Sequence, residues 1–166
     1  MGARPENQPT ESRSIQPYAA EEFPEMFQSP SWNLTVLSAK RTFWEKATIL
    51  HDIFHRSEGY RTADRISRHY YDLFRLVNAG VAQEALNDIA LLESVVRNKQ
   101  SYFYRAGAKY QEALLGQLRL VPDQARLNAL ERDYEKMRSM FFVDPPKFDE
   151  IISTLLELEG EINRTV

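Results

Sequence analysis

The stretch "RTFWEKATILH" runs from Arg41 to His51 and continues into Phe54. Phe43, Ala47, Leu50 and Phe54 recur at intervals of four, three and four residues, which predicts a helix with these side chains as its buried stripe. Ser38 suits the N-cap, and the helix is expected to end near His55. Lys46 falls on the same stripe, between Phe43 and Ala47. A buried, unpaired ammonium is costly, so either its stem snorkels to water or an anion meets the amine.

Working outward, "SEGYRT" breaks the pattern through Gly59 and offers Thr62 as the next N-cap. A second helix is predicted from about Ala63 to Asn78, with Ile66, Tyr70, Leu73 and Val77 inward and Gly80 ending it. Val81 to Phe103 reads as helix broken near Asn87–Asp88, with Leu86, Ile89, Leu92, Val96 and Phe103 inward. Residues 104–121, punctuated by Gly107 and Gly116, read as loop with one helical turn. Pro122 suits the first turn of a helix to about Phe142, where a missing N–H does no harm. Leu127, Leu130, Tyr134, Met137 and Phe141 form its buried face. Asp144 as cap and Pro145–Pro146 open a last helix to about Asn163, with Phe148, Ile151, Ile152, Leu155, Leu158 and Ile162 inward. Helices joined by short loops predict a mainly α protein, a bundle of about five to six helices.

Before that bundle the chain has another character. Residues 1–31 carry Pro5, Pro9, Pro17, Pro24 and Pro30 and little periodicity. An extended piece is expected at Ser14–Tyr18 and a short strand at Trp32–Ser38. The domain division is therefore 1–37, irregular or extended, and 38–166, helical.

A chain of 166 residues suits one domain with a substantial core. Its net charge of −3 gives no global case for nucleic-acid or membrane binding, so any basic site is local. There is no cysteine, which excludes disulfides and thiolate zinc sites and fits a reducing cytoplasm. No apolar run is long enough for a membrane span, and the N-terminus lacks the apolar core of a signal peptide.

The chemistry-bearing residues concentrate in "RISRHYYDLFRL", Arg65 to Leu76. On a helix Arg65, Arg68, Asp72 and Arg75 share one side. Three guanidiniums around one carboxylate suit a polyphosphate or an RNA backbone, because arginine forks match phosphate oxygens. The same spacing also fits ordinary surface ion pairs, each worth a few tenths of a kcal/mol. Asp72 could orient a guanidinium, pair with Lys46, or face a metal-bound nucleotide. His51 and His55 stand four apart, as in the helical half of a metal site. Residue 52 is Asp rather than Glu, and spacing fixes no third ligand, so no metal site is assigned; His69 would join them only through a tertiary contact. Tyr70–Tyr71 and Tyr102–Phe103–Tyr104 suit core packing at helical spacing, or base stacking. There is no Gly-rich phosphate loop, no Ser–His–Asp arrangement with suggestive local context, and no carboxylate pair of two-metal type.

At "LSAKRTFWEKATILH" (37–51) and "DRISRHYYDLFRL" (64–76) the chain resembles the AbiEii/AbiGii-type toxin nucleotidyltransferases of bacterial toxin–antitoxin and abortive-infection (phage-defence) systems. "VVRNKQSYF" and "DYEKMRSMFF" are similar to that family's C-terminal helical part. The resemblance implies a nucleotidyltransferase core followed by a helical domain, with the active site between them. It places the family's threonine and lysine on Thr42 and Lys46, and its Arg, Tyr-Asp-Leu motif on Arg68, Tyr71, Asp72 and Leu73. By that likeness Lys46 contacts nucleotide phosphates, Asp72 is an active-site carboxylate, and Arg65, Arg68 and Arg75 support substrate binding. Some relatives carry an acidic residue where this chain has His69. The family's Gly-Ser motif and metal-binding carboxylate pair are absent from the 166 residues. Residues 1–37 then read as the remnant of a preceding core, and the chain is expected to be inactive without that core. The resemblance further implies an NTP substrate, Mg²⁺ held by the core, tRNA or another RNA as target, and a cognate antitoxin. The alternative is a non-catalytic helical module that binds an antitoxin or a separately encoded core and self-associates through exposed apolar surface.

Overall fold

The computed structural model describes residues 7–57, 63–105 and 107–164. Residues 6–38 form one compact unit and the chain from Ala39 onward another.

In the first unit, β1 (Thr10–Ile15) pairs antiparallel with β2 (Trp32–Leu37), Ile15 opposite Trp32 and Thr10 opposite Leu37. The expected extended piece at Ser14–Tyr18 is thus displaced. The strand lies earlier, and Tyr18 opens a short helix, α1 (Tyr18–Glu22). Pro17 accounts for the shift, since it lacks a ladder donor and its fixed φ suits the entry to a helix. Directly opposed residues of an antiparallel pair share a face. Ile15, Trp32 and Leu34 therefore line one side of the hairpin, and all three are exposed.

The second unit is the expected mainly helical bundle. Among the described residues it holds α2 (Ala39–His55), α3 (Arg68–Asn78), α4 (Val81–Leu86), α5 (Ile89–Tyr102), α6 (Gln124–Lys136) and α7 (Phe148–Arg164). α2 is central, packed against α3, α4 and α5, while α3 also meets α7. Phe43, Trp44, Ala47, Leu50 and Ile53 of α2 are fully buried. Truncating one such side chain, Leu50→Ala, costs on the order of 3 kcal/mol in a close-packed core. α2 is buried on more than the predicted stripe: Arg41, Thr48, His51 and Asp52 are also buried, while Phe54 is only half-buried. The half-exposed seam of the helix is left to Thr42, Glu45, Lys46 and Ile49.

Where a helix begins is often decided by a distant side chain. α3 starts at Arg68 rather than Ala63, because residues 64–67 form a turn with Arg65 at φ +62°. Asp133 of α6 accepts the backbone N–H groups of Arg65 and Ser67 at 2.8 and 2.9 Å, and the Ser67 hydroxyl at 2.6 Å. It thereby does the work of a cap from another helix. Gly59 and Thr62 lie outside the described residues. Gly80 has φ +77° between α3 and α4, a value that favours glycine. The predicted break at Asn87–Asp88 separates α4 from α5. Phe103, expected inward, is half exposed at 49 %.

α6 is shorter than predicted at both ends. Asp123 is its N-cap, accepting the Arg126 N–H at 2.9 Å, and Pro122 stands before the cap. The helix stops at Lys136 because the chain folds back, bringing Phe141 onto Tyr71 and Tyr134 at ring distances of 4.7 and 5.5 Å. Asp144 does not cap α7; it pairs with Arg138 at 3.1 Å. α7 buries the six predicted residues. It also clamps the extended run 118–121: Asn163 exchanges hydrogen bonds with the Leu118 backbone at 3.1 and 2.9 Å, and Glu159 accepts the Leu120 and Val121 N–H groups.

Candidate functional site

Lys46 and Asp72, far apart in sequence, meet across the seam where α2 packs on α3. The Lys46 ammonium donates to Asp72 Oδ2 at 2.6 Å and lies 3.2 Å from His69 Nδ1. An ammonium has no acceptor, so His69 Nδ1 accepts and its proton resides on Nε2. Burial, and then the Lys46 charge beside it, push the His69 pKa down to about 4. At neutral pH His69 is therefore a fixed neutral acceptor for Lys46. Of the two possibilities for a lysine on an apolar stripe, the structure shows an anion meeting the amine, and that anion is the chain's own carboxylate.

Exposure decides what this pair is for. The Lys46 and Asp72 side chains remain 21 and 38 % exposed. An ion pair this wet contributes roughly 1 kcal/mol or less, so stability alone gives little reason for it. With Asp72 and His69 engaged, one of the three ammonium protons of Lys46 remains to be donated.

The remaining predicted residues are distributed around the pair. Thr42 lies one helical turn before Lys46 and is half-buried. Arg68 and Arg75 are exposed on α3, and Asp72 pairs with Lys46 rather than with either of them. Arg65 departs from the predicted strip: it precedes the helix, in the left-handed turn, with its side chain exposed. The surface ion-pair reading of Arg68 and Arg75 is not what the described residues show. Their guanidiniums face solvent instead, and Arg68 is close enough to help lower the pKa of His69.

Spacing also marks a residue beyond those named above. Lys99 of α5 stands three residues after Val96 and four before Phe103, again a lysine on an apolar stripe. Its ammonium lies 5.3 Å from the centre of the Phe103 ring, and its charge is among those that depress His69.

His51 and His55 do not form a metal site. Both ring nitrogens of His51 are occupied: Nδ1 accepts the Arg119 N–H at 3.1 Å, and Nε2 lies 3.2 Å from the Lys109 carbonyl. Burial, followed by the neighbouring His55, pushes its pKa down to about 4, so His51 is a neutral structural group. Among the described residues no three His, Asp or Glu side chains group as metal ligands. Asp72 is engaged by Lys46 and Glu45 by Arg41, so the donor set here does not fit Mg²⁺. The aromatic pairs divide: Tyr70 is buried core and Tyr71 packs on Phe141, while Tyr102, Phe103 and Tyr104 are exposed.

Arg126 was not signalled by local sequence. It donates to the carbonyls of Ile53, Phe54 and Arg56 and so caps the end of α2, the last two at 3.0 and 2.7 Å. Its partners are about 70 residues away, a distance that periodicity does not reach.

Among the described residues no helix is long and apolar enough to cross a membrane. No curated protein and no solved structure matches the chain. A family model does: that of the nucleotidyl transferase AbiEii toxin of type IV toxin–antitoxin systems, over residues 1–154. The match includes α2 and α3, and with them Lys46, His69 and Asp72. The chain belongs to the AbiEii nucleotidyltransferase toxin family.

Proposed function

We propose that the α2–α3 seam is the phosphate-binding wall of a toxin-type nucleotidyltransferase, contributed by a C-terminal helical domain. In nucleotidyl transfer an acceptor oxygen attacks the α-phosphorus of an NTP, and pyrophosphate leaves as its bond to that phosphorus breaks. Lys46 meets the polyphosphate with its remaining proton and balances charge on the leaving group. Asp72 and His69 aim the ammonium, while Thr42 and the exposed Arg65, Arg68 and Arg75 support substrate, with RNA such as tRNA as the acceptor. The carboxylates that hold Mg²⁺ belong to a nucleotidyltransferase core outside these helices, and without it the helical domain is inactive. A cognate antitoxin is the partner implied by the family, and the cytoplasm is the setting.

The observation that carries this reading is the 2.6 Å contact of a half-exposed lysine with Asp72, held on its other side by a neutral histidine. Calorimetric titration of the chain with ATP at low salt tests it. Binding that weakens at least tenfold in Lys46→Met supports the assignment, and equal affinity of the variant would sink it.

A second reading, that of a non-catalytic interaction module, is favoured by the hairpin of the first unit. Ile15, Trp32 and Leu34 present an exposed apolar face. An uncovered two-stranded sheet of this kind suits docking on the sheet of a separately encoded core. Size exclusion over a range of concentrations, with and without Trp32→Ser, distinguishes a sticky hairpin from an inert one.

A further inference from the structure

Tyr102–Phe103–Tyr104 suits core packing or base stacking by sequence, and the structure leaves it outside the core. α5 ends at Tyr102, and the three side chains stand 52, 49 and 80 % exposed. Among the described residues no other aromatic ring packs against them, in contrast to Tyr71, which rests on Phe141. Three adjacent aromatic side chains left in water mark a place where a ligand or partner completes the packing.

The chain around these rings is basic. From Ser94 to Gln111 the sequence has Arg97, Lys99, Arg105 and Lys109 and no carboxylate, in a chain whose net charge is −3. The Lys99 ammonium lies 5.3 Å from the centre of the Phe103 ring, so a cation and a ring share this surface. Glu45 and Asp52, whose charges reach Lys99, are each held by arginines, and Arg105 is spent on Asp52. Arg97, five residues before Tyr102 on α5, pairs with Glu93 at 3.7 Å. Lys109 pairs with Glu112 at 3.2 Å, where residues 110–112 pack on α5. Both are contacts between exposed side chains, which a phosphate displaces at little cost. Protein interfaces also favour exposed aromatics. A run of cations without carboxylates favours a polyanion instead, and flat rings favour one that offers flat faces of its own. In a duplex those faces are hidden in the stack, so the strand has to be unpaired.

We infer that Tyr102, Phe103 and Tyr104, with Lys99, form a stacking platform for an unpaired segment of RNA. Bases lie against the rings, and Lys99 meets a backbone phosphate beside Phe103. The choice of RNA as the strand rests on the acceptor reading above, but the platform uses no residue of the α2–α3 seam.

The test is fluorescence anisotropy with the 166-residue chain and a labelled oligoadenylate RNA of about twelve nucleotides. The same strand paired with oligouridylate, and the DNA strand of the same sequence, are the comparisons. Wild type is expected to bind the single RNA strand about tenfold more tightly than the duplex. Tyr104→Leu keeps an apolar side chain without a ring face and should weaken binding about as much, whereas Tyr104→Phe binds as wild type. Lys99→Met should lower the slope of log affinity against log salt by about 0.7, the share of one phosphate on a single strand. Thermal midpoints of the variants check folding. A duplex bound as tightly as the strand, DNA bound more tightly than RNA, or wild-type affinity in Tyr104→Leu each overturns the inference. So does self-association that Tyr104→Leu abolishes in a chain that binds no RNA, because the rings then serve a protein contact. If the chain fails to bind ATP but binds the RNA strand in this way, the phosphate wall falls and the platform stands. ATP binding without RNA binding overturns the platform alone.

Discussion

Two places along α2, its C-terminal end and the Lys46 seam at its middle, gather cations around aspartate and histidine and use them differently. At the C-terminal end Arg126 is spent on the carbonyls of Ile53, Phe54 and Arg56, and Asp52 receives Arg56 and Arg105. His51 there is locked between Arg119 and Lys109. At the Lys46 seam the ammonium meets Asp72 and His69 with one proton still to donate, and the side chains stay partly wet. Donors matched by the chain's own acceptors hold a fold together. Donors in excess of those acceptors are what a ligand can use. The comparison teaches that a charged cluster declares its purpose by its balance rather than by its composition.

The harshest test of that comparison is at Arg126. Arg126→Met strips charge-assisted bonds from the end of α2 and should lower unfolding free energy by about 3 kcal/mol in urea titrations. Affinity for ATP should not change. Lost affinity with full stability would break the distinction between the two places.

The histidines make it sharper through pH. His51 has a folded pKa of about 4 against an ordinary 6.5, so the unfolded chain takes the proton first. Its contribution is fully present above pH 6.5 and falls away as pH drops toward 4, by up to about 3 kcal/mol. His69 acts in the same direction but is half-exposed, so its share is smaller. Urea melts at pH 7 and pH 4.5 should show a clear loss in wild type and a shallower one in His51→Gln.

At the seam the pattern should reverse. Lys46→Met is expected to cost less than about 1 kcal/mol of stability, the scale of an exposed ion pair, yet to cut nucleotide affinity tenfold or more. Arg75→Ala should have the smallest effect of all, with the melting midpoint unchanged and only a slight flattening of the salt dependence of binding.

Much of the helical unit was legible from periodicity. The six inward residues of α7, the break at Asn87–Asp88 and the helix from Ala39 to His55 follow from local spacing. What spacing missed were boundaries set from afar. Asp133 moves the start of α3, Phe141 folds back past the end of α6, and Arg126 finishes α2. The seam was half legible. A lysine on an apolar stripe is visible in one dimension at both Lys46 and Lys99. That Asp72 and His69 meet Lys46 depends on how α2 and α3 pack, and Arg65 left the predicted strip because its backbone turns left-handed before the helix begins.

The clamp on residues 118–121 has a consequence for timing. Arg119 gives its N–H to His51, 68 residues earlier, while Leu118 and Leu120 are held by Asn163 and Glu159, 45 and 39 residues later. These partners of the run are all distant in sequence, and ribosomal synthesis delivers Glu159 and Asn163 about 40 residues after it. During translation His51 thus waits for its partners until Lys109 and Arg119 have emerged, and residues 118–121 close as a late, long-range event once α7 follows. The amides of Leu118, Arg119, Leu120 and Val121 should then exchange with solvent together, in step with global opening of the bundle rather than with local fraying.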